Sequence, residues 1–128
     1  MTERFSVLVA SPDPEHQKAF GRLLEQCGLE PHFVTTVRAA VDALKRRRVA
    51  LAFCSEVLAD GTFRDVLAAA RNSGVNVPVV VASRLDDTAQ YFEAMSLGAF
   101  DFIAAPYGRR EVEWIVNRAL PQTLAVAG

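Results

Sequence analysis

Val77-Pro78-Val79-Val80-Val81-Ala82 is the stretch from which the rest of the chain is read. It is β-branched, uncharged and too short for a helix. With no polar face to offer water, it suits a strand buried on both sides of a sheet. Working backwards, Phe63, Val66, Leu67 and Ala70 recur at helical spacing, and Asn72-Ser73-Gly74 ends that helix. Working forwards, a helix runs from about Asp86 to Leu97 and Gly98 stops it, after which Phe100-Asp101-Phe102-Ile103-Ala104 reads as another strand. A buried strand with a helix on each side is half of a crossover repeat.

The same alternation reaches both ends. Phe5-Ser6-Val7-Leu8-Val9-Ala10 is an apolar strand stopped by Ser11-Pro12-Asp13-Pro14, and the helix after it carries Ala19, Phe20, Leu23, Leu24 and Cys27 inward before Gly28. Pro31 to Val34 is a short second strand. Thr35 or Thr36 caps the next helix, whose inner face is Val37, Ala40, Val41 and Leu44. Val49 to Cys54 is the third strand, followed by a turn at Asp60-Gly61. The last helix turns Val112, Ile115, Val116 and Ala119 inward until Pro121 breaks it. Five apolar strands alternating with five amphipathic helices predict one α/β domain over residues 1–121, a parallel sheet with helices on both faces. Residues 122–128 read as a tail or linker stub.

Composition narrows the function. The chain has 128 residues, 51% of them hydrophobic, and a net charge of −1. That size supports a core without metals or disulfides, so Cys27 and Cys54 read as reduced thiols filling core space. Near-neutral charge argues against a surface built to neutralise nucleic-acid phosphates. The basic run Lys45-Arg46-Arg47-Arg48 reads as a solvated helix terminus, where cations complement the dipole. The apolar run after Met1-Thr2-Glu3-Arg4 is too short for a signal peptide, and no segment is long and apolar enough to span a bilayer.

In a sheet of this kind chemistry gathers beyond the carboxyl ends of the strands. Four loops there carry the candidates: Ser11 to Asp13, Ser55 and Glu56, Ser83 and Arg84, and Ala105 and Pro106. No Gly-rich phosphate cradle occurs. The serines read as turn or cap residues rather than nucleophiles, because neither His16 nor His32 forms part of a recognisable triad. Asp13 precedes Pro14 and the helix and reads as its cap. Convergence of Asp13 with Glu56 on a cation is not expected, so no metal and no cofactor is assigned.

The whole chain, from about residue 4 to 120, resembles a receiver domain of bacterial two-component response regulators. Val7-Leu8-Val9-Ala10-Ser11-Pro12-Asp13-Pro14 is similar to the family's apolar strand and acidic pair, and Leu58-Ala59-Asp60-Gly61 to its L-P-D-G turn. Val77 to Ser83 continues the likeness, and Leu97-Gly98-Ala99-Phe100-Asp101-Phe102-Ile103-Ala104-Ala105-Pro106-Tyr107 resembles L-G-A-x-D-Y-[LI]-x-K-P-F. The resemblance implies a flavodoxin-like, CheY-like (βα)5 fold, doubly wound, with strand order 2-1-3-4-5. It also implies that the family's acidic pair falls on Ser11 and Pro12, with Asp13 just beyond. The phosphoacceptor falls on Ser55, the sensing hydroxyl on Ser83 and the lysine on Ala105. Four of those five chemical groups are lost.

A degenerate pseudo-receiver is therefore the expectation: not an enzyme, independent of phosphorylation and acting through protein contacts in cytoplasmic bacterial signalling or transcription control. The resemblance further implies a cis bond before Pro106, a switch aromatic at Phe102, and an interaction surface holding Tyr91, Met95 and Trp114. Trp114 falls off the inner helical stripe, as an interface anchor would. Glu56, one past the acceptor position, reads as a plain loop acid rather than a built-in negative charge. A protein partner is expected, with a homodimer as one form, and neither direct nucleic-acid nor membrane contact. Two alternatives stand beside this: the regulatory half of a longer transcription factor, and a small-ligand binder using the vacated pocket with Ser11, Ser55 and Ser83 as hydroxyl contacts.

Overall fold

A computed structural model describes residues 5–46, 48–84 and 88–120. The elements in chain order are β1 (Ser6–Ala10), α1 (Pro14–Gln26), β2 (Glu30–Val34), α2 (Val37–Lys45), β3 (Leu51–Ser55), β4 (Val57–Leu58), β5 (Gly61–Thr62), α3 (Phe63–Asn72), β6 (Val79–Ser83), α4 (Thr88–Ser96), β7 (Asp101–Ala104) and α5 (Arg109–Ala119). Five of the strands form one parallel sheet in the order β2-β1-β3-β6-β7. Counting those five alone, the order is the expected 2-1-3-4-5.

Because successive side chains point to opposite faces of a strand, the sheet divides the core in two. Val7, Val9, Leu51, Phe53, Val80, Ala82 and Ile103 face α1 and α5, whose Phe20, Leu24, Val112, Ile115 and Val116 cover them. Leu8, Ala10, Ala52, Cys54, Val79 and Val81 face the other way, against Ala40, Leu44, Phe63, Val66 and Leu67 of α2 and α3. The central strands β3 and β6 are buried throughout, which is why they read as unbroken apolar runs.

Several details depart from the sequence reading. Ala19 is exposed, and its expected place on the inner face of α1 is taken by His16, Phe20, Gly21 and Leu24. Asp60-Gly61 does not make a bare turn: β4 and β5 pair as an antiparallel mini-hairpin, with Asp60 at its bend. The Asp60 carboxylate then accepts from the Val37 and Arg38 amides and joins Thr36 in capping α2. A Cβ at Gly61 would run into the Asp65 carboxylate that completes the capping box of α3, so this approach needs glycine. The first residues of the expected α4 helix, Arg47 of the basic run, the break at Pro121 and the 122–128 tail lie outside the described residues.

Candidate functional site

The carboxyl ends of β1, β3, β6 and β7 bring Ser11, Ser55, Ser83 and Ala105 to one end of the sheet. Ser11 and Ser83 are fully buried, and Ser55 nearly so. A buried hydroxyl needs a partner, and α1 supplies one. His16 lies three residues after the Asp13 cap, on the inward stripe that continues through Phe20 and Leu24. Its Nδ1 sits 2.9 Å from Ser11 Oγ and its Nε2 2.9 Å from the Tyr107 phenol oxygen, contributed by the loop before α5.

The proton positions are set by the partners. Tyr107 donates to the Ser83 carbonyl at 2.7 Å, so its single proton is committed and His16 Nε2 must be the donor toward it. Nδ1 is then the acceptor, and Ser11 donates to it while receiving the Asp13 amide at 3.2 Å. The result is a directed, electrically neutral chain from the first loop through Ser11, His16 and Tyr107 to the end of β6. Burial holds the imidazole pKa below its ordinary value, and the nearby Arg84 guanidinium adds to this against the opposing pull of Asp13 and Glu56. The Tyr107 phenol is pushed up to about 12, chiefly by burial. Phe20 packs beneath, its ring 4.6 Å from Tyr107 and 4.9 Å from Phe53.

A second, charged set lies over the first. Asp13 caps α1 by accepting from the Glu15 amide at 3.0 Å, and its carboxylate also pairs with the Arg84 guanidinium. The Glu15 amide, with help from Arg84, holds the Asp13 carboxyl below its usual value. Glu56 turns toward β6, where one carboxylate oxygen accepts from Ser83 Oγ at 3.2 Å and the other from the Arg84 amide at 3.1 Å. The plain-loop-acid reading of Glu56 missed this bridge. Side-chain alternation, from which Glu56 was set apart from Ser55, is silent on a carboxylate reaching the neighbouring strand.

These donors do not suit a hard divalent cation, which wants converging carboxylate oxygens. Asp13 is engaged by a cap and an arginine, and Glu56 by the Ser83 hydroxyl and the Arg84 amide. Among the described residues no three His, Cys, Asp or Glu side chains gather so as to hold a metal ion. Pro12 and Ala105 are exposed at the rim, and the Ala105–Pro106 bond is cis.

The other singled-out residues lie on and beside β7. Phe102 is half-buried, its ring edge-on to Tyr91 at 5.8 Å, and Met95 packs partly against the core. Trp114 does not join them. It stands on α5, 61% exposed, with the Arg118 guanidinium 4.2 Å above its ring. Between α4 and β7 runs an open groove of ≈ 520 Å³ edged by Tyr91, Phe92, Phe102 and Glu111.

No family model matches the chain. The photosynthetic apparatus regulatory protein RegA of Rhodovulum sulfidophilum is 27% identical over 107 residues, which are 84% of this chain and 58% of that protein. The swarming motility regulation protein RssB of Serratia marcescens is 27% identical over 107 residues, 84% of this chain and 49% of its own. The chain thus spans about half the length of the curated relatives it matches. The receiver domain of a Pseudomonas aeruginosa sensor histidine kinase, solved with a magnesium ion coordinated in its active site cleft, superimposes with a TM-score of 0.82 at 19% identity, over 91% of this chain and 98% of that one. The fold is the receiver fold. On that frame, the loops of this chain are bound together by its own side chains.

Proposed function

We propose that this receiver fold works without phosphoryl transfer, as a signalling module that acts by protein contact. One observation carries the reading: of the positions the family uses for its acid pair, acceptor and lysine, none here bears the needed charge, and Ser11, at one of them, belongs to a neutral buried chain. Without carboxylates to hold a metal, and without a lysine, nothing offsets the charge spread over a transferring phosphoryl group. Serine at 55 forms no acyl phosphate. The Ser11–His16 contact is not nucleophile activation either, since Ser11 is wholly buried and the far side of the imidazole faces Tyr107 rather than an orienting carboxylate. The same occupation of Ser11 disfavours a small ligand using the serine hydroxyls. No helix among the described residues is long and apolar enough to cross a membrane, in keeping with a cytoplasmic role.

Acetyl phosphate with Mg²⁺ tests this directly. Intact-mass spectrometry is expected to find no added phosphoryl group, and stoichiometric labelling overturns the proposal. The contact surface we assign to the exposed side of α5 around Trp114, apart from Tyr91 and Met95, which lie beside Phe102. Trp114 is its anchor, because a large exposed ring braced by Arg118 loses little freedom on binding. If the partner is a second copy of the chain, Trp114→Ala lowers the sedimentation coefficient at high concentration, and an unchanged coefficient removes the self-association surface. A second reading, that the chain is the regulatory half of a longer transcription factor, draws on its spanning about half of two regulatory proteins. Sequence adjoining the gene separates the two.

A further inference from the structure

His16 ties the first turn of α1 to the loop before α5, and it does so as a neutral ring. Nδ1 accepts from the wholly buried Ser11 hydroxyl, and Nε2 donates to the Tyr107 phenol. A second proton on the ring turns Nδ1 into a donor. Ser11 Oγ already receives the Asp13 amide, so the Ser11 hydroxyl hydrogen then loses its acceptor in a place closed to solvent.

The surroundings give the added charge little to rest on. His16 lies three residues after the Asp13 cap, at the positive end of the α1 dipole. Arg84, just beyond β6, brings a second positive charge to the ring. Two acids act on it from other loops, Asp13 from the loop after β1 and Glu56 from the loop after β3. Both are engaged: Asp13 by the Glu15 amide and Arg84, Glu56 by the Ser83 hydroxyl and the Arg84 amide. Tyr107 spends its proton on the Ser83 carbonyl, and burial pushes that phenol up to about 12, with Glu111 of α5 adding to the push. Phe20 packs against the imidazole at 5.3 Å and offers it no hydrogen bond. We propose that His16 is a proton-operated fastener: taking up a proton drives the imidazole out of the core toward Asp13 and solvent, and so frees the loop around Tyr107 from α1.

The fastener goes beyond the proposed function, since it gives the module an input that needs neither a metal nor a phosphoryl donor. In the opened form the imidazole has its ordinary value of 6.5, and in the closed form burial holds it lower. The opened form therefore binds more protons, and opening is favoured as pH falls. Between those two values the opening constant rises by up to about tenfold for each unit of pH, and above 6.5 it is level.

The experiment is nuclear magnetic resonance on the full chain from about pH 8 to about pH 4.5, the range in which histidine changes charge. It follows the ring resonances of His16, with the exposed His32 as internal control, and hydrogen exchange at three amides beside the fastener. These are Gln17, bonded to the Asp13 carbonyl, Ala105, bonded to the Ser83 carbonyl, and Val112, bonded to the Gly108 carbonyl. After correction for intrinsic exchange, their opening is expected to rise by up to about tenfold per unit below 6.5, in step with the His16 ring, while amides of β1 and β3 keep their protection. His16→Gln keeps a donor for Tyr107 without a titrating ring and is expected to abolish that rise. The parent titration alone decides the matter if this variant does not fold. A His16 ring that titrates with no change at the three amides overturns the fastener, and so does a ring that stays neutral until the whole chain unfolds. A rise shared evenly with β1 and β3, or the same pH dependence in folded His16→Gln, overturns it equally. None of these readings involves phosphoryl labelling, so this proposal and the proposed function fail separately.

Discussion

Tyr107→Phe removes one oxygen and nothing else, and the consequences are unequal at its two ends. The Ser83 carbonyl keeps a partner, because the Ala105 amide also donates to it at 2.9 Å. His16 Nε2–H has no such reserve. The residue is 8% exposed, and its other nitrogen already accepts from Ser11. An orphaned buried donor costs about 1–3 kcal/mol. The half-kept carbonyl adds little, so the variant is expected to lose about 2 kcal/mol. The imidazole has one escape. It can shift its proton to Nδ1, which turns the orphaned donor into an orphaned acceptor and reverses the Ser11 hydrogen bond. Urea unfolding followed by circular dichroism reads the loss as a lower midpoint at constant slope, and nitrogen chemical shifts of His16 read the tautomer. Adding His16→Leu to Tyr107→Phe is expected to cost less than the sum of the two single changes, by about 1 kcal/mol, because both partners are then gone. A loss below about 0.5 kcal/mol in Tyr107→Phe, the range of ordinary surface changes, refutes the directed chain. So does full additivity in the double variant.

The His16 pKa lies below its unfolded value of 6.5, so the unfolded chain takes up a proton more readily. Its contribution to stability is complete above 6.5 and is lost as pH falls from there toward the lowered folded value. His16→Asn is expected to flatten that part of the curve of unfolding free energy against pH, and an equal slope in both proteins counts against a neutral imidazole. Gly61→Ala forces the Asp65 carboxylate out of the α3 capping box and crowds Val37. A loss of about 1 kcal/mol is expected by urea unfolding, the usual worth of a cap, and a neutral or stabilising result shows that the hairpin yields freely. Cys54 is buried on β3 with its thiol pushed up to about 12 by burial, and so is expected to resist a thiol reagent until the protein unfolds. Labelling of both cysteines in the folded protein at one rate contradicts that burial.

How much of this the sequence disclosed depends on the range of the interaction. Strands, helices and their order come from periodicity, because Val79 to Ala82 or the Phe63–Val66–Leu67–Ala70 stripe declares its burial within a few residues. The Asp13 cap is equally local. The Asp60 cap on α2 and the Glu56 bridge to Ser83 depend on loops meeting across the sheet, and no spacing encodes them. His16 is the instructive case. Its place at i−4 from Phe20 and i−8 from Leu24 put it on the inner stripe of α1, a signal in plain view, yet its partner Tyr107 lies 91 residues away. Ala19 looked inward by its i, i+4, i+8 spacing with Leu23 and Cys27 and is exposed, since a small side chain weighs little against Phe20 in setting the helix rotation.

The composition of the site has its own logic, which concerns why hydroxyls and an imidazole, rather than lone charges, fill the buried part of this cleft. A lone carboxylate buried without its cation suffers a desolvation cost of several kcal/mol, and a lone lysine does no better. Hydroxyls in the same places cost about 1–3 kcal/mol each when unpartnered, and one neutral imidazole can satisfy two polar groups at once. His16 does this for Ser11 and Tyr107, while Asp13 pairs with Arg84 and Glu56 accepts from the Ser83 hydroxyl and the Arg84 amide. On the proposed reading, adding a single carboxylate therefore does not create phosphoryl chemistry. Ser55→Asp would place a carboxylate next to Glu56 without a cation or lysine to balance it, and is expected to lower stability without gaining phosphorylation.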